Sequence, residues 1–122
     1  PALYTPELLK LGGDAMENLL TFTLFFSNDP RPEVQNFIAA FQTANQTAPN
    51  WFAAVGYDAM NLLADAIKQG GVERKAIQQA LASVKEYSGV TGKFTFSEQG
   101  DVIREYTLLQ VNNGEFVLFN GK

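Results

Sequence analysis

Between Pro32 and Gln46 the apolar residues Val34, Phe37, Ile38 and Phe41 fall at i, i+3, i+4 and i+7, the spacing of one face of a helix. The same rhythm returns twice. Over residues 54–69, Val55, Ala59, Leu62, Leu63, Ala66 and Ile67 make a single apolar face, which Gly70-Gly71 ends. Over residues 73–85, Ile77, Ala80, Leu81 and Val84 do the same. Ahead of these helices, "LLTFTLFF" (19–26) is apolar on both faces, the pattern of a central strand in a sheet covered on both sides. After Ser88 the period drops to two. "KFTF", "EYTLLQV" and "EFVLF" read as strands, and the last two flank "NNG", where Asn113-Gly114 suits a type I′ hairpin turn. Near the start, "YTPELLKLGG" is a short helix: Thr5 caps it, Pro6 fits its first position, Glu7 meets the positive dipole end, and Gly12-Gly13 stop it. "SNDPRP" is a turn, and "TAPN" closes the helix before it because the residue preceding Pro49 is pushed out of helical geometry. The order is helix, strand, three helices, strand, hairpin, which predicts an α/β fold.

Composition narrows the function. The chain has 122 residues, 46% of them hydrophobic, the size and apolar content of one globular domain. Its longest apolar run, 19–26, is far too short to span a bilayer. The net charge is −4 and the nine Lys and Arg are scattered, so no basic patch for nucleic acid is expected. Cysteine and histidine are both absent. That removes thiol and imidazole nucleophiles, the usual general base, and thiolate or imidazole metal sites, and no metal or cofactor is expected. It leaves the compartment open between cytosol and periplasm. The opening "PALYTPELL" carries no initiator Met, charged n-region or apolar h-region, so a processed or excised piece is expected.

Several stretches invite a chemical reading. "YSGVTGKFTFSEQGD" (87–101) lacks the phosphate-loop spacing, precedes a strand instead of a helix, and has too few carboxylates for a calcium loop. It reads as a structural corner in which Gly89 and Gly92 allow tight backbone geometry and residues 97–100 turn the chain. In "GYDA", Tyr57 either borders a ligand cleft or packs its ring between elements, with Asp58 stabilising a helix N-terminus; residue chemistry favours packing. Phe26 and Ser27 end the apolar strand, and ligands of open α/β sheets bind beyond the carboxyl ends of strands, which makes both of them ligand candidates against a core role for the ring. Trp51 and Phe52 form an aromatic pair expected to pack. Asp29, Asp58, Asp65 and Asp101 have no local spacing that pairs them as catalytic acids. Nothing here supports a catalytic centre, and an enzyme is not expected.

Three pieces then carry a resemblance: "FFSNDPRPEVQNFIAAF", "APNWFAAVGYDAMNLLADAIKQGG" and "GVTGKFTFSEQGDVIREYTLLQVNNGEFVLF". In this order and spacing they resemble the C-terminal part of the Leu/Ile/Val-binding (type 1) periplasmic solute-binding proteins of ABC importers. "LGGDAMEN" resembles the family's "GGDAAEG", with Asn18 where a glycine is common. The resemblance implies part of a two-lobed fold with three-layer α/β lobes, and a C-terminal β-hairpin. It implies that residues 1–50 belong to the C-terminal ligand-binding lobe, 51–103 carry the hinge crossover and helices of the other lobe, and 104–122 return as the hairpin. It further implies a non-enzymatic, periplasmic or extracellular receptor (lipid-anchored in a Gram-positive host) that closes on a branched-chain amino acid or related small solute. The membrane permease of the importer would be its partner. Most ligand-contacting groups of that family would lie outside this chain. Two other expectations stand beside it. One is the ligand-sensing ectodomain of a signalling receptor. The other is a self-associating fragment, because the strand at 19–26 lacks sheet neighbours, so the isolated chain either exchanges elements in a homodimer or derives from a longer protein.

Overall fold

The computed structural model describes residues 3–121, which divide into two compact units, residues 3–26 with 106–121, and Ser27–Glu105. The chain therefore passes between units at 26/27 and 105/106.

The unit Ser27–Glu105 holds three helices and a small sheet. Helix α2 (Pro32–Asn45) starts with Pro32 and buries Val34 and Phe37, with Ile38 and Phe41 half-buried, as the spacing predicts. It ends at Gln46, which takes a left-handed φ of 57° and donates its N–H to the Gln42 carbonyl. Helix α3 (Trp51–Gly70) begins ahead of the expected residue 54, because Asn50 caps it by accepting the Ala53 N–H at 3.1 Å. The segment expected to begin a hinge crossover is thus regular helix from Trp51 onward. The buried stripe of α3 also differs. It runs Ala54, Asp58, Leu62, Ala66, whereas Val55 is half-buried and Ala59 is exposed. The apolar pattern placed the face one residue too far along, since an aspartate is not counted as an inward residue. Helix α4 (Arg74–Ala82) packs against α3 and stops short of residue 85, where Ser83 bonds back to Ala80 through both its N–H and its hydroxyl.

Only "KFTF" was expected as a strand in this region. It is β3 (Gly92–Phe96), and it is flanked by β2 (Tyr87–Gly89) and β4 (Val102–Arg104) in an antiparallel sheet of order β2-β3-β4. The two flanking strands are only 3 residues each, too short for a period of two to show. The "SEQG" turn between β3 and β4 is built by Ser97, whose hydroxyl accepts the N–H groups of Gln99 and Asp101.

The other unit contains α1 (Pro6–Gly12), a 3-10 turn (Gly13–Met16) and the antiparallel sheet β1-β5-β6, with β1 Leu20–Thr23, β5 Thr107–Asn112 and β6 Glu115–Leu118. Thr5 caps α1 through the Leu8 N–H. Leu109 and Val111 of β5 are buried with Thr21 and Thr23 of β1, and the Tyr4 ring packs 6.0 Å from Phe26 and 5.0 Å from Phe116. The hairpin turn has positive φ at both Asn113 (51°) and Gly114 (75°), the signature of type I′. Glu17 holds it from outside by accepting both N–H groups. Asn18 takes φ 65°, a left-handed conformation that explains why glycine suits this position and asparagine replaces it at small cost.

The strand at 19–26 is a correction. It is an edge, paired only with β5 among the described residues, and it ends at Thr23. The Thr23 hydroxyl donates to the Phe25 carbonyl at 2.9 Å and accepts the Phe25 N–H at 3.2 Å, so the backbone turns there instead of extending. Its threonines face inward, while Leu20 and Phe22 are exposed. Beyond the turn Phe25 and Phe26 are both buried.

Candidate functional site

One concavity lies inside the unit Ser27–Glu105, between α2, α3 and β2. It is an open groove of about 480 Å³, walled by Phe37, Tyr57 and Tyr87 and edged by Glu33, Asn36 and Asn61. Helix geometry sets two of the walls. Phe37 comes from the buried face of α2, and Tyr57 from the second turn of α3, with ring centroids 4.8 Å apart. Tyr87 comes from β2, its ring 5.1 Å from the buried Phe94. Burial raises the Tyr87 hydroxyl above the ordinary tyrosine pKa, and the nearby charges of Asp58 and Asp65 push in the same direction.

The floor is built by Asp58. Its side chain is buried, and its carboxylate accepts the N–H groups of Val90 (2.9 Å) and Thr91 (2.8 Å) and the Thr91 hydroxyl (2.6 Å). A buried carboxylate is costly unless its lone pairs are bonded, and three donors meet that need. Gly89 is required beside it, because a Cβ there would overlap the Asp58 carboxylate. Arg31 holds the same turn from the other side, donating Nη1 to the Gly89 carbonyl (3.2 Å) and Nη2 to the Val90 carbonyl (3.3 Å). The stretch "YSGVTGKFTFSEQGD" is therefore a pinned corner, as expected. The role expected for Asp58 is corrected: it sits on the second turn of α3 and holds a distant loop, instead of stabilising the helix start. Arg31 and Thr91 were not singled out from sequence. The available signal was an aspartate in the 54/58/62/66 stripe, which implies a buried carboxylate and hence a donor loop elsewhere.

The expected ligand residues are spread over both units. Phe26 is 7% exposed and packs its ring toward Tyr4 in one unit. Ser27 begins the other unit; it is exposed, and its carbonyl accepts Gln35 Nε2. Tyr57 lines the groove and is 47% exposed. Trp51 and Phe52 stack at 3.8 Å, with Phe52 largely exposed. Among the described residues, no group of three or more His, Cys, Asp or Glu is placed to hold a metal ion. Chemically, the groove offers ring faces, amides and hydroxyls, which suit binding of a small solute.

A family model described as periplasmic binding protein matches residues 1–115. The fold repeats that of solved solute-binding proteins. A protein of Rhodospirillum rubrum assigned to a branched-chain amino acid ABC transporter is 36% identical with a TM-score of 0.86, over 97% of this chain and 35% of that one. Leucine-binding protein LivK of Thermotoga maritima is 29% identical with a TM-score of 0.76, over 94% of this chain and 33% of that one. An ABC transporter substrate-binding protein of Desulfitobacterium hafniense, solved in complex with Leu, is 31% identical with a TM-score of 0.75, over 85% of this chain and 32% of that one. No curated protein sequence matches the chain. The chain belongs to the periplasmic binding protein family, whose fold is that of solute-binding proteins. It is similar to the branched-chain amino acid members among them, and it spans about a third of the length of these solved structures.

Proposed function

We propose that the chain is a portion of the solute-binding component of an ABC importer for branched-chain amino acids or related small solutes. It acts without chemistry, by closure of two lobes on the ligand, and the permease reads the closed state. The observation that carries this reading is the match over nearly the whole chain to a solute-binding fold, with 36% identity to a protein assigned to branched-chain amino acid transport. The division at 26/27 and 105/106 supports giving the chain a share of both lobes, with Ser27–Glu105 on one and the two terminal segments on the other. A periplasmic or extracellular site of action follows from the same reading. No helix among the described residues is long and apolar enough to cross a membrane.

Of the three side chains expected to contact ligand, Tyr57 has the exposed surface that contact needs, Ser27 lies at the crossing between units, and Phe26 supports from the core. The test is a chimera in which this chain replaces the matching third of the Desulfitobacterium hafniense protein. A folded chimera that binds leucine in calorimetry, with weaker binding after Tyr57→Ala, supports the reading. A folded chimera that binds neither leucine nor isoleucine sinks the branched-chain assignment.

One further reading has its own observation. The edge position of β1, with Leu20 and Phe22 exposed, favours self-association of the isolated chain through that strand.

A further inference from the structure

The unit Ser27–Glu105 is joined to the rest of the chain at its first and last residues. Both exits lead into one polar cluster. At the first exit, Gln35 Nε2 donates to the carbonyls of Ser27 (3.1 Å) and Asp29 (2.6 Å). Arg31 donates its backbone N–H and its Nε to the Asp29 carboxylate, at 3.0 and 2.9 Å. The remaining guanidinium nitrogens of Arg31 reach the carbonyls of Gly89 and Val90. The same turn gives its N–H groups, and the Thr91 hydroxyl, to Asp58. At the second exit, Arg104 donates Nη1 to the Thr91 hydroxyl at 3.4 Å and lies 4.6 Å over the Phe94 ring. Thr91 thus donates to Asp58 and accepts from Arg104. A continuous path of contacts runs from residue 27 through Gln35, Asp29, Arg31 and the 89–91 turn to Arg104, with Asp58 bonded to that turn.

We propose that Arg31, Asp58, Thr91 and Arg104 form a brace that makes the two exits of this unit move as one rigid piece. The middle of the brace is buried: Asp58 is 3%, Val90 4% and Thr91 5% exposed. The bonds of Asp58 to the turn are therefore shielded from water and salt, and a fully satisfied buried network is stiff, while those of Arg31 and Arg104 to it are half-buried. The surface ion pairs Lys68–Asp65 and Lys93–Glu86, by contrast, are largely exposed and join neighbours on the outside. With residues 27–31 and 104–105 fixed to a common turn, the torsions that change when lobes close fall at the links 26/27 and 105/106. The brace residues are positioning residues: they touch no solute and set which bonds turn. This consequence rests on the closure reading proposed above, whereas the rigidity of the brace does not.

The experiment is amide hydrogen exchange on the chain without solute, comparing wild type with Arg31→Gln and Thr91→Val. Arg31→Gln cuts the cluster at the first exit, and the brace predicts faster exchange at residues 103–105 as well as at 89–91, by about threefold or more. Thr91→Val cuts it next to the second exit, and exchange rises at residue 31, whose N–H is bonded to the Asp29 carboxylate. Amides of Leu109 and Val111, in the other unit, stay unchanged and report that the chain is still folded. If Arg31→Gln unfolds the unit, Arg31→Lys removes the forked contact to the turn while keeping the charge. Effects confined to residues 89–92 in both variants overturn the proposal. Because no solute is present, a chimera that fails to bind leucine leaves this result standing, and independent exits leave the binding reading standing.

Discussion

At Asp58 a carboxylate occupies a helix position whose neighbours in the stripe, Ala54, Leu62 and Ala66, are apolar and buried. It is tolerated because the 89–91 turn brings donors to it, and the turn keeps its shape because the carboxylate is there. Asp58→Ala leaves the N–H groups of Val90 and Thr91 buried without their acceptor. Each such group costs about 1–3 kcal/mol, so a loss of about 3 kcal/mol in unfolding free energy is expected, read by urea denaturation. Tyr87 gives a pH signature. Its hydroxyl pKa is raised in the folded chain by burial first and then by Asp58, so the folded state favours the neutral phenol. The unfolded chain ionises first as pH rises through the ordinary tyrosine value. Stability is then fully present below about pH 10 and declines as pH climbs through the raised value. Denaturation at pH 9 and 11 should show that decline, and Tyr87→Phe should reduce it. The existence of the corner was legible from Gly89 and Gly92. Its partners were not, because Arg31 and Asp58 lie far from it in sequence and only the folded chain brings them together.

Among the elements, the helices were the most legible and β1 the least. A helix face repeats over many residues, so Val34 and Phe37 suffice to orient α2. A strand of 4 residues that ends on a threonine turn has no such redundancy. Apolar side chains on both faces of "LTFT" and its flanks indicate a need for cover on both faces, but not which segment supplies it. β1 carries no charge, proline or bulge to block pairing along its open edge, and residues 19–26 contain no charged residue at all. The isolated chain is therefore expected to associate at micromolar concentrations, measured by size-exclusion light scattering. Phe22→Lys, at an exposed position on that strand, should shift it toward monomer. A wild-type chain that stays monomeric would remove the edge as an association site.

For the whole molecule, solute binding and stability are linked. A ligand that binds only the folded state adds about 2.7 kcal/mol at a hundredfold excess over Kd. Leucine should therefore raise the unfolding temperature of the chimera, and a solute that leaves it unmoved at high concentration is not a ligand. The class of the fold was legible in the order of elements and in the motifs that resemble the solute-binding family. The place where the chain divides was harder to read: the crossing at 26/27 falls where the apolar run meets the turn "SNDPRP", which looks like any other loop, and the one at 105/106 falls between β4 and β5 with no linker composition.

The pairing of β1 with β5 has a consequence for biosynthesis. Leu20 lies against Gln110 and Thr23 against Thr107, so the strand made near the start of this stretch waits for one made near its end. The helices of Ser27–Glu105 and its sheet β2-β3-β4 pair sequence neighbours and can begin to form as they leave the ribosome, while the Arg31 and Asp58 contacts wait for the 89–91 turn. Until β5 arrives, the uncharged "LLTFTLFF" lacks the pairing that β5 gives its first residues. During synthesis that apolar segment therefore stays exposed for as long as the roughly eighty residues between β1 and β5 take to be made.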